Sequence, residues 1–340
     1  DYFNTKLYTG NGGTQSVTGV GFQPDWIWFK CRTRDENHSI HDSTRGVDNF
    51  IASNQTNAEA TETDRLESFN SDGFTVNGGD DRVNISGQTY VAWQWKANGG
   101  TTTTNDASST SVGNLDSVYQ ANTTAGFSVV TWTGVHPGNH NVAHGLGKAP
   151  KVIFFKNRSD SASWQVRHGE LSAYQKIPLN DTTLPATDFN LGHGSSTTTF
   201  ALQNSNLDNG DGDEMIAYCW AEIQGYSKFG SYTGNGNNDG PFVYTGFKPA
   251  WLMVRVTNAS NDGWVVFDNK RDPFNGVQYY EFINNGNPEG SGTTRIDFVS
   301  NGFKLRQSGS AWNNNGSEII YMAFAEHPFV SSEGIPVHAR

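Results

Sequence analysis

The sequence predicts an all-β protein built from three tandem antiparallel β-sandwich units, and three observations carry that prediction. An opening phrase and a closing strand are each written three times along the chain. Apolar residues in both follow a period of two, and no segment longer than ten residues holds a helical period. The third observation is compositional. With 38 Gly and abundant Asn, Thr, Ser and Asp, the chain is rich in turn formers, while aromatics reach 13%. Large rings on short strands therefore supply much of the burial, which suits sandwiches better than helical bundles.

The first unit spans residues 1–98. It opens on "LYTGNGGTQSVTGVGFQPDWIWFKC" from Leu7, in which Pro24 precedes a strand that is apolar on both faces, as a strand buried between packed sheets should be. "NQTNAEATETDRLESF" (54–69) is the nearest approach to a helix, and one or two helical turns are expected there. "FNSDGFTV" places Asp72-Gly73 between strands as a type I′ hairpin dipeptide. In the closing strand "YVAWQW", Val91, Trp93 and Trp95 face one way and Ala92 and Gln94 the other. The run 99–115 is almost uncharged Gly, Thr and Ser and reads as a flexible or extended linker.

The second unit (116–225) repeats the opening as "VTWTGVHPGNHNVAHGLGKAPKVIFFKN" and closes on "MIAYCW"; its hairpin segment "TDFNLGHG" lacks the Asn/Asp-Gly pair, so a rearranged hairpin is expected. The third (226–340) opens on "SYTGNGNNDGPFVYTGFKPAWLMVRV", turns at Asn301-Gly302 and closes on "IIYMAF". Six residues beyond Pro24, Pro150 and Pro249 stand Lys30, Lys156 and Arg255. From the same prolines to Trp95, Trp220 and Phe324 the spacing is 71, 70 and 75 residues, so length differences are confined to loops. The short aromatic join "AEIQGYSKFGSYTG" predicts that the second and third units pack rigidly.

A net charge of −11 with no Lys/Arg cluster removes the electrostatic footprint of a nucleic-acid binder and disfavours membrane surfaces. No run approaches the roughly 18 apolar residues of a membrane span. The first residues show no basic and apolar leader, and the absence of an initiator Met suggests processing. Cys31 and Cys219 lie in strand-like runs, where small buried hydrophobes are the default reading.

The phrases "VTGVGFQPDWIWFK", "HDSTRG", "SFNSDGFTV", "YVAWQWKANGG", "HGLGKAP", "GYSKFGSYTGNG", "FDNKRDPFN" and "YMAFAEHPFV" followed by "GIPVHAR" together resemble a family of marine, mainly cyanobacterial, phage virion proteins. The resemblance runs over nearly the whole chain. It implies jelly-roll sandwiches of the concanavalin A-like lectin type, a tail-fibre or other virion-surface location, other virion proteins as partners, and homo-oligomers with a trimer favoured. It also implies contact with host-surface glycan.

Several residues are candidates for chemistry. Asp208, Asp211, Asp213 and Glu214 crowd a Gly-rich turn, a set of hard oxygen donors suited to Ca²⁺, although the spacing is not that of an EF-hand and a solvated hairpin loop is the bland reading. No other cofactor is expected. His136, His140 and His144 recur every four residues, but Pro137, Gly138 and Gly145 break the helix a zinc site would need. Asp42 with Arg45 and Asp268 with Arg271 recur between units, as glycan anchors or as turn caps paired with Arg; the second unit has only Arg167 and His168. For sugar stacking the rings in loop-like settings are Trp312, Tyr279 and Tyr280. Nucleophile elbow, zinc-protease, P-loop and C-x-x-C motifs are absent, and no spacing nominates a glycosidase carboxylate pair. The expectation is a non-enzymatic virion-surface protein contacting glycan; the rivals are a purely structural decoration protein and a polysaccharide depolymerase.

Overall fold

A computed structural model describes residues 2–188, 194–202, 209–259 and 263–325. Almost all regular structure is antiparallel strand. In the first unit a large sheet runs in the order β1 (Phe3–Thr9), β9 (Thr89–Trp95), β3 (Trp26–Cys31), β4 (Ser39–Asp42), β5 (Gly46–Ile51), β6 (Ala60–Thr61), and a small sheet joins β2 (Gln15–Thr18), β8 (Gly73–Val76) and β7 (Leu66–Asn70).

The same order returns twice. The second large sheet contains β12 (Phe127–Thr133), β19 (Glu214–Trp220), β14 (Val152–Asn157), β15 (Gln165–His168), β16 (Gln175–Pro178) and β17 (Ala186–Thr187), with β13 (His140–Ala143) and β18 (Thr199–Leu202) as its small sheet. The third contains β20 (Ser227–Thr233), β27 (Glu318–Ala325), β22 (Pro249–Val256), β23 (Val265–Asp268) and β24 (Glu281–Phe282), with β21 (Phe242–Tyr244), β26 (Gly302–Leu305) and β25 (Ile296–Val299) as the small one. In each unit the closing strand lies between the opening strand and the strand after the proline, in matching register: Trp26 faces Trp95, Val152 faces Trp220 and Trp251 faces Phe324.

The two apolar faces of these strands have different destinations. Ile27 and Phe29, Ile153 and Phe155, and Leu252 and Val254 fill three separate cores between large and small sheets. The alternate residues, Trp26 and Trp28, Val152 and Phe154, Trp251 and Met253, enter one central core shared by all three units. Eight of the ten tryptophans lie there. Trp95 touches Trp26, Trp220 and Trp251, one ring from each unit, at centroid separations of 4.9, 6.3 and 5.4 Å. At about 25 cal/mol per Å² and roughly 200 Å² per ring, each such tryptophan contributes up to about 5 kcal/mol. The units thus close a three-fold-like ring within one chain.

Three local expectations are corrected. Residues 99–115 are not a free tether: β10 (Thr103–Asn105) pairs with β11 (Ser117–Asn122), which extends the second large sheet, and a helical turn, Ala107–Thr110, is capped by Asp106. The Asp25 carboxylate accepts from the backbone N–H of Ala97, Gly99 and Gly100 at 2.7–2.9 Å, so the polar run is anchored by its own amides. No helix forms in 54–69, where Leu66 enters the first sandwich from β7. The hairpins are one residue out of the expected register, with Ser71-Asp72 and Ser300-Asn301 in the turns and Gly73 and Gly302 opening the next strands. A Cβ on either glycine would stand 2.0 Å from the carbonyl oxygen of Val17 or Val243, so both glycines answer to the neighbouring strand, and Gly73 also to its own φ of 148°. The second hairpin segment, 189–193, lies outside the described residues.

Candidate functional site

The recurring charged residues lie at the joints between units. Asp42 Oδ1 accepts from the backbone N–H of Thr44 and Arg45 as a turn cap, and Arg45 Nε donates to Asp42 Oδ2 at 2.5 Å. The pair then reaches into the second unit: Tyr218 Oη donates to Asp42 Oδ2 at 2.7 Å, and Glu59 is gripped by Arg45 and by Arg158 at 2.8 Å each. Burial works to lower the Arg45 pKa, and the surrounding Asp42, Tyr218 and Glu59 outweigh it, so the guanidinium stays firmly charged. Glu59 is raised by burial but lowered further by Arg158 and Arg45, and the net direction is down.

Between the third unit and the first the same device is rebuilt. Arg271 Nε donates to Asp268 Oδ2 at 2.6 Å, Trp93 Nε1 donates to the same oxygen at 3.1 Å, and Glu289 bridges Arg271 and Arg32 at 3.2 and 2.8 Å. The joint between second and third units is different. Register puts His168 where the others have Asp42 and Asp268, and three residues on stands Leu171, packed against the central core, in place of Arg45 and Arg271. On the facing strand Met322 replaces Trp93 and Tyr218 and brings no donor, so the available group is the Tyr321 carbonyl oxygen. His168 Nε2 donates to it at 3.0 Å while Nδ1 accepts from the Glu170 amide. Burial pushes this imidazole down to about 4, so it is neutral.

Two more rings of hydrogen bonds run the opposite way around the body. The residue before each fourth large-sheet strand donates a ring N–H to the neighbouring unit: Trp164 to Ala52 O, Trp264 to Pro178 O and His38 to Phe282 O, at 2.9, 2.8 and 3.1 Å. The three cations six residues past the prolines do likewise, Lys30 to Gly286 O, Lys156 to Thr56 O and Arg255 to Thr183 O, at 3.0, 3.1 and 2.8 Å. All three are fully buried. Burial depresses the Lys156 ammonium to about 8 and moves Lys30 in the same direction.

The candidate calcium residues are dispersed onto protein donors. Asp213 accepts from Asn157 Nδ2 at 2.7 Å, Asp211 from the His136 amide at 3.3 Å, and Glu214 from Thr133 Oγ1 at 3.0 Å while pairing with Arg158 at 3.5 Å. Asp208 lies outside the described residues. No group of three or more His, Cys, Asp or Glu side chains that could hold a metal occurs among the described residues. Both cysteines are buried and unpaired.

Two of the three candidate sugar-stacking rings, Trp312 and Tyr280, are corrected. Trp312 is only 8% exposed and belongs to the third unit's own core, with Phe267 and Tyr280 at 6.0 and 5.8 Å and the Arg295 guanidinium 5.2 Å from its ring. Tyr280 is half-buried between Phe282, Trp312 and Arg295, and the Tyr279 amide is tied to Asp272 at 2.7 Å. The settings of Trp312 and Tyr280 concealed inward-facing rings because a single helical turn, Ser310–Asn313, and an isolated bridge residue are too short to show a period from which to read a face. Among the described residues the exposed aromatic rings are Phe242, Tyr244 and Phe274, at 48%, 59% and 85%, all in the third unit. Phe242 and Tyr244 flank inward-facing Val243 on edge strand β21. Aligning the units would have revealed them: register sets Phe242-Val243-Tyr244 against Ser16-Val17-Thr18 and Asn141-Val142-Ala143.

Residues 1–328 match the model of a family described as a domain of unknown function, DUF7483. The chain belongs to the DUF7483 family. No curated protein and no solved structure matches it. The match spans all three large sheets, so the DUF7483 domain corresponds to the whole ring rather than to one of its units.

Proposed function

We propose that this DUF7483 chain is a non-enzymatic component of a phage virion surface, a tail-fibre or appendage module that contacts host-surface glycan through its third unit. The single observation that carries this reading is the division of labour among its side chains. The recurring buried Asp–Arg pairs are spent on the joints between units, whereas among the described residues the exposed large rings gather on one unit. A body closed by an aromatic core and by hydrogen bonds at every joint is rigid, as an appendage exposed to shear must be. The wording of the repeated motifs supports the virion setting. Core burial requires no second copy, because one chain closes the ring; assembly with other virion proteins or further copies uses the outer faces.

The experiment is immunogold labelling of particles together with competition by the purified chain in host-cell adsorption. Surface labelling and reduced adsorption are expected. Labelling without competition would favour the purely structural role, for which the interlocked joints also speak. Release of reducing ends from host polysaccharide would establish the depolymerase instead, and absence of the chain from purified particles would remove the virion reading altogether.

A further inference from the structure

We infer that the outer face of the third small sheet is a stacking site for a neutral pyranose polymer, with Phe242 and Tyr244 as its platform; this rests on the glycan-contacting reading above and names its site. On that face two cross-strand rows run side by side, Phe242–Lys304–Asp297 and Tyr244–Gly302–Val299. Residues two apart on one strand project the same way about 7 Å from each other, so the two rings form one surface rather than two isolated spots.

Glycines lay the rings down. A Cβ at Gly302 would come 3.0 Å from Phe242 Cε2, and one at Gly246 would come 3.6 Å from the Tyr244 hydroxyl oxygen. Both rings therefore lie against bare backbone and remain 48% and 59% exposed, leaving aromatic surface open to solvent on which the apolar C–H face of a sugar ring can stack. Polar groups border the platform in matched pairs. Lys304 Nζ binds Asp239 at 2.7 Å and also reaches the Gly240 carbonyl, and Arg306 pairs with Asp297. Two cations against two carboxylates leave no net charge, so the site selects neither an anionic nor a cationic ligand; hydroxyl groups, which both donate and accept, suit such a rim. The platform is also too small for a stable protein partner, since two rings fall far short of the roughly 800 Å² per side that such an interface buries. The other units carry Ser16 with Thr18 and Asn141 with Ala143 at these positions, so the platform occurs once in the ring.

The test uses the full chain in affinity electrophoresis through gels containing a soluble β-glucan, a mannan, a galactan or, as an anionic arm, alginate. The variant carries Phe242→Ser and Tyr244→Thr, the residues of the first unit, and Phe274→Ser serves as a second exposed-ring control; melting of each confirms the fold. Retardation by at least one neutral polymer, weakened tenfold or more in the double variant and unchanged in F274S, is the expected result. Equal retardation of wild type and double variant would overturn this site while leaving the glycan reading standing. Retardation by alginate alone, lost in added salt, would overturn the neutral ligand. Failure with every polymer would overturn both. A wild-type dimer in sedimentation that the double variant abolishes would assign the face to a second copy of the chain and also overturn the proposal.

Discussion

Glu281 stands where the other two units place isoleucine: it faces Val266 across the sheet as Ile51 faces Ile40 and Ile177 faces Val166. Its carboxyl is fully buried, neither oxygen has a hydrogen-bond partner, and its nearest cation, Arg271, is 3.8 Å away and already held by Asp268 and Glu289. Burial raises this acid to about 8, against the lowering pull of Arg271 and Lys30. An acid whose folded pKa lies above its unfolded value binds more protons when folded, so it costs stability progressively as pH rises from about 4.5 to 8. At about 1.4 kcal/mol per pH unit, Glu281→Ile gains an advantage over wild type that grows by about 4 kcal/mol between pH 5 and pH 8.5. For a chain of 340 residues that is about 5 °C in Tm at the alkaline end, with a smaller constant gain from the apolar side chain. Urea and thermal melts of both proteins across this range measure it. Parallel stability curves for wild type and variant would refute the argument, because removing the raised acid must remove the pH dependence it causes.

Copying the repeat is not stabilising everywhere. His168→Asp, which also restores the residue of the other units, sets a carboxylate against the Tyr321 carbonyl oxygen with no donor between them, and a loss of about 3 kcal/mol or more is expected in denaturant melts at pH 7. Lys156 is depressed to about 8, so the folded state sheds its proton first and this residue adds stability as pH rises from 8 to about 10.5. Lys156→Met should flatten that alkaline rise by about 3 kcal/mol, measured as the difference between the two proteins, while leaving the Thr56 carbonyl without its lysine donor at all pH values. Gly302→Ala puts a methyl 2.0 Å from the Val243 carbonyl oxygen; a loss of at least about 2 kcal/mol is expected, and an unchanged urea midpoint would mean that β21 is free to move away.

The strand pattern was legible because it is local. Steric alternation along an extended backbone puts Val91, Trp93 and Trp95 on one face whatever the rest of the chain does, and the repeated prolines and rings show that the same strand arrangement recurs. Period two cannot say where a face goes when both faces are apolar, as in "DWIWF", "KVIFF" and "AWLMV". Docking of the units decided that one face fills a private sandwich and the other a core common to all three.

The charged residues divide in the same way. That Asp42 caps the turn holding Arg45 was readable from three residues of spacing. That it also accepts from Tyr218, 176 positions away, was not. That the second unit has no such aspartate was visible in the sequence, but not that its place is taken by His168 opposite Met322, which has nothing to donate. Trp312 and Tyr280 looked available in loops and are packed inside, while Phe242 and Tyr244, for which the sequence raised no expectation, are exposed on an edge strand. Alternation along a strand is enforced by neighbouring residues and is therefore written into the sequence. The partner of a face or a buried charge is chosen by segments 72 to 257 positions away, and only the closed ring brings those segments together.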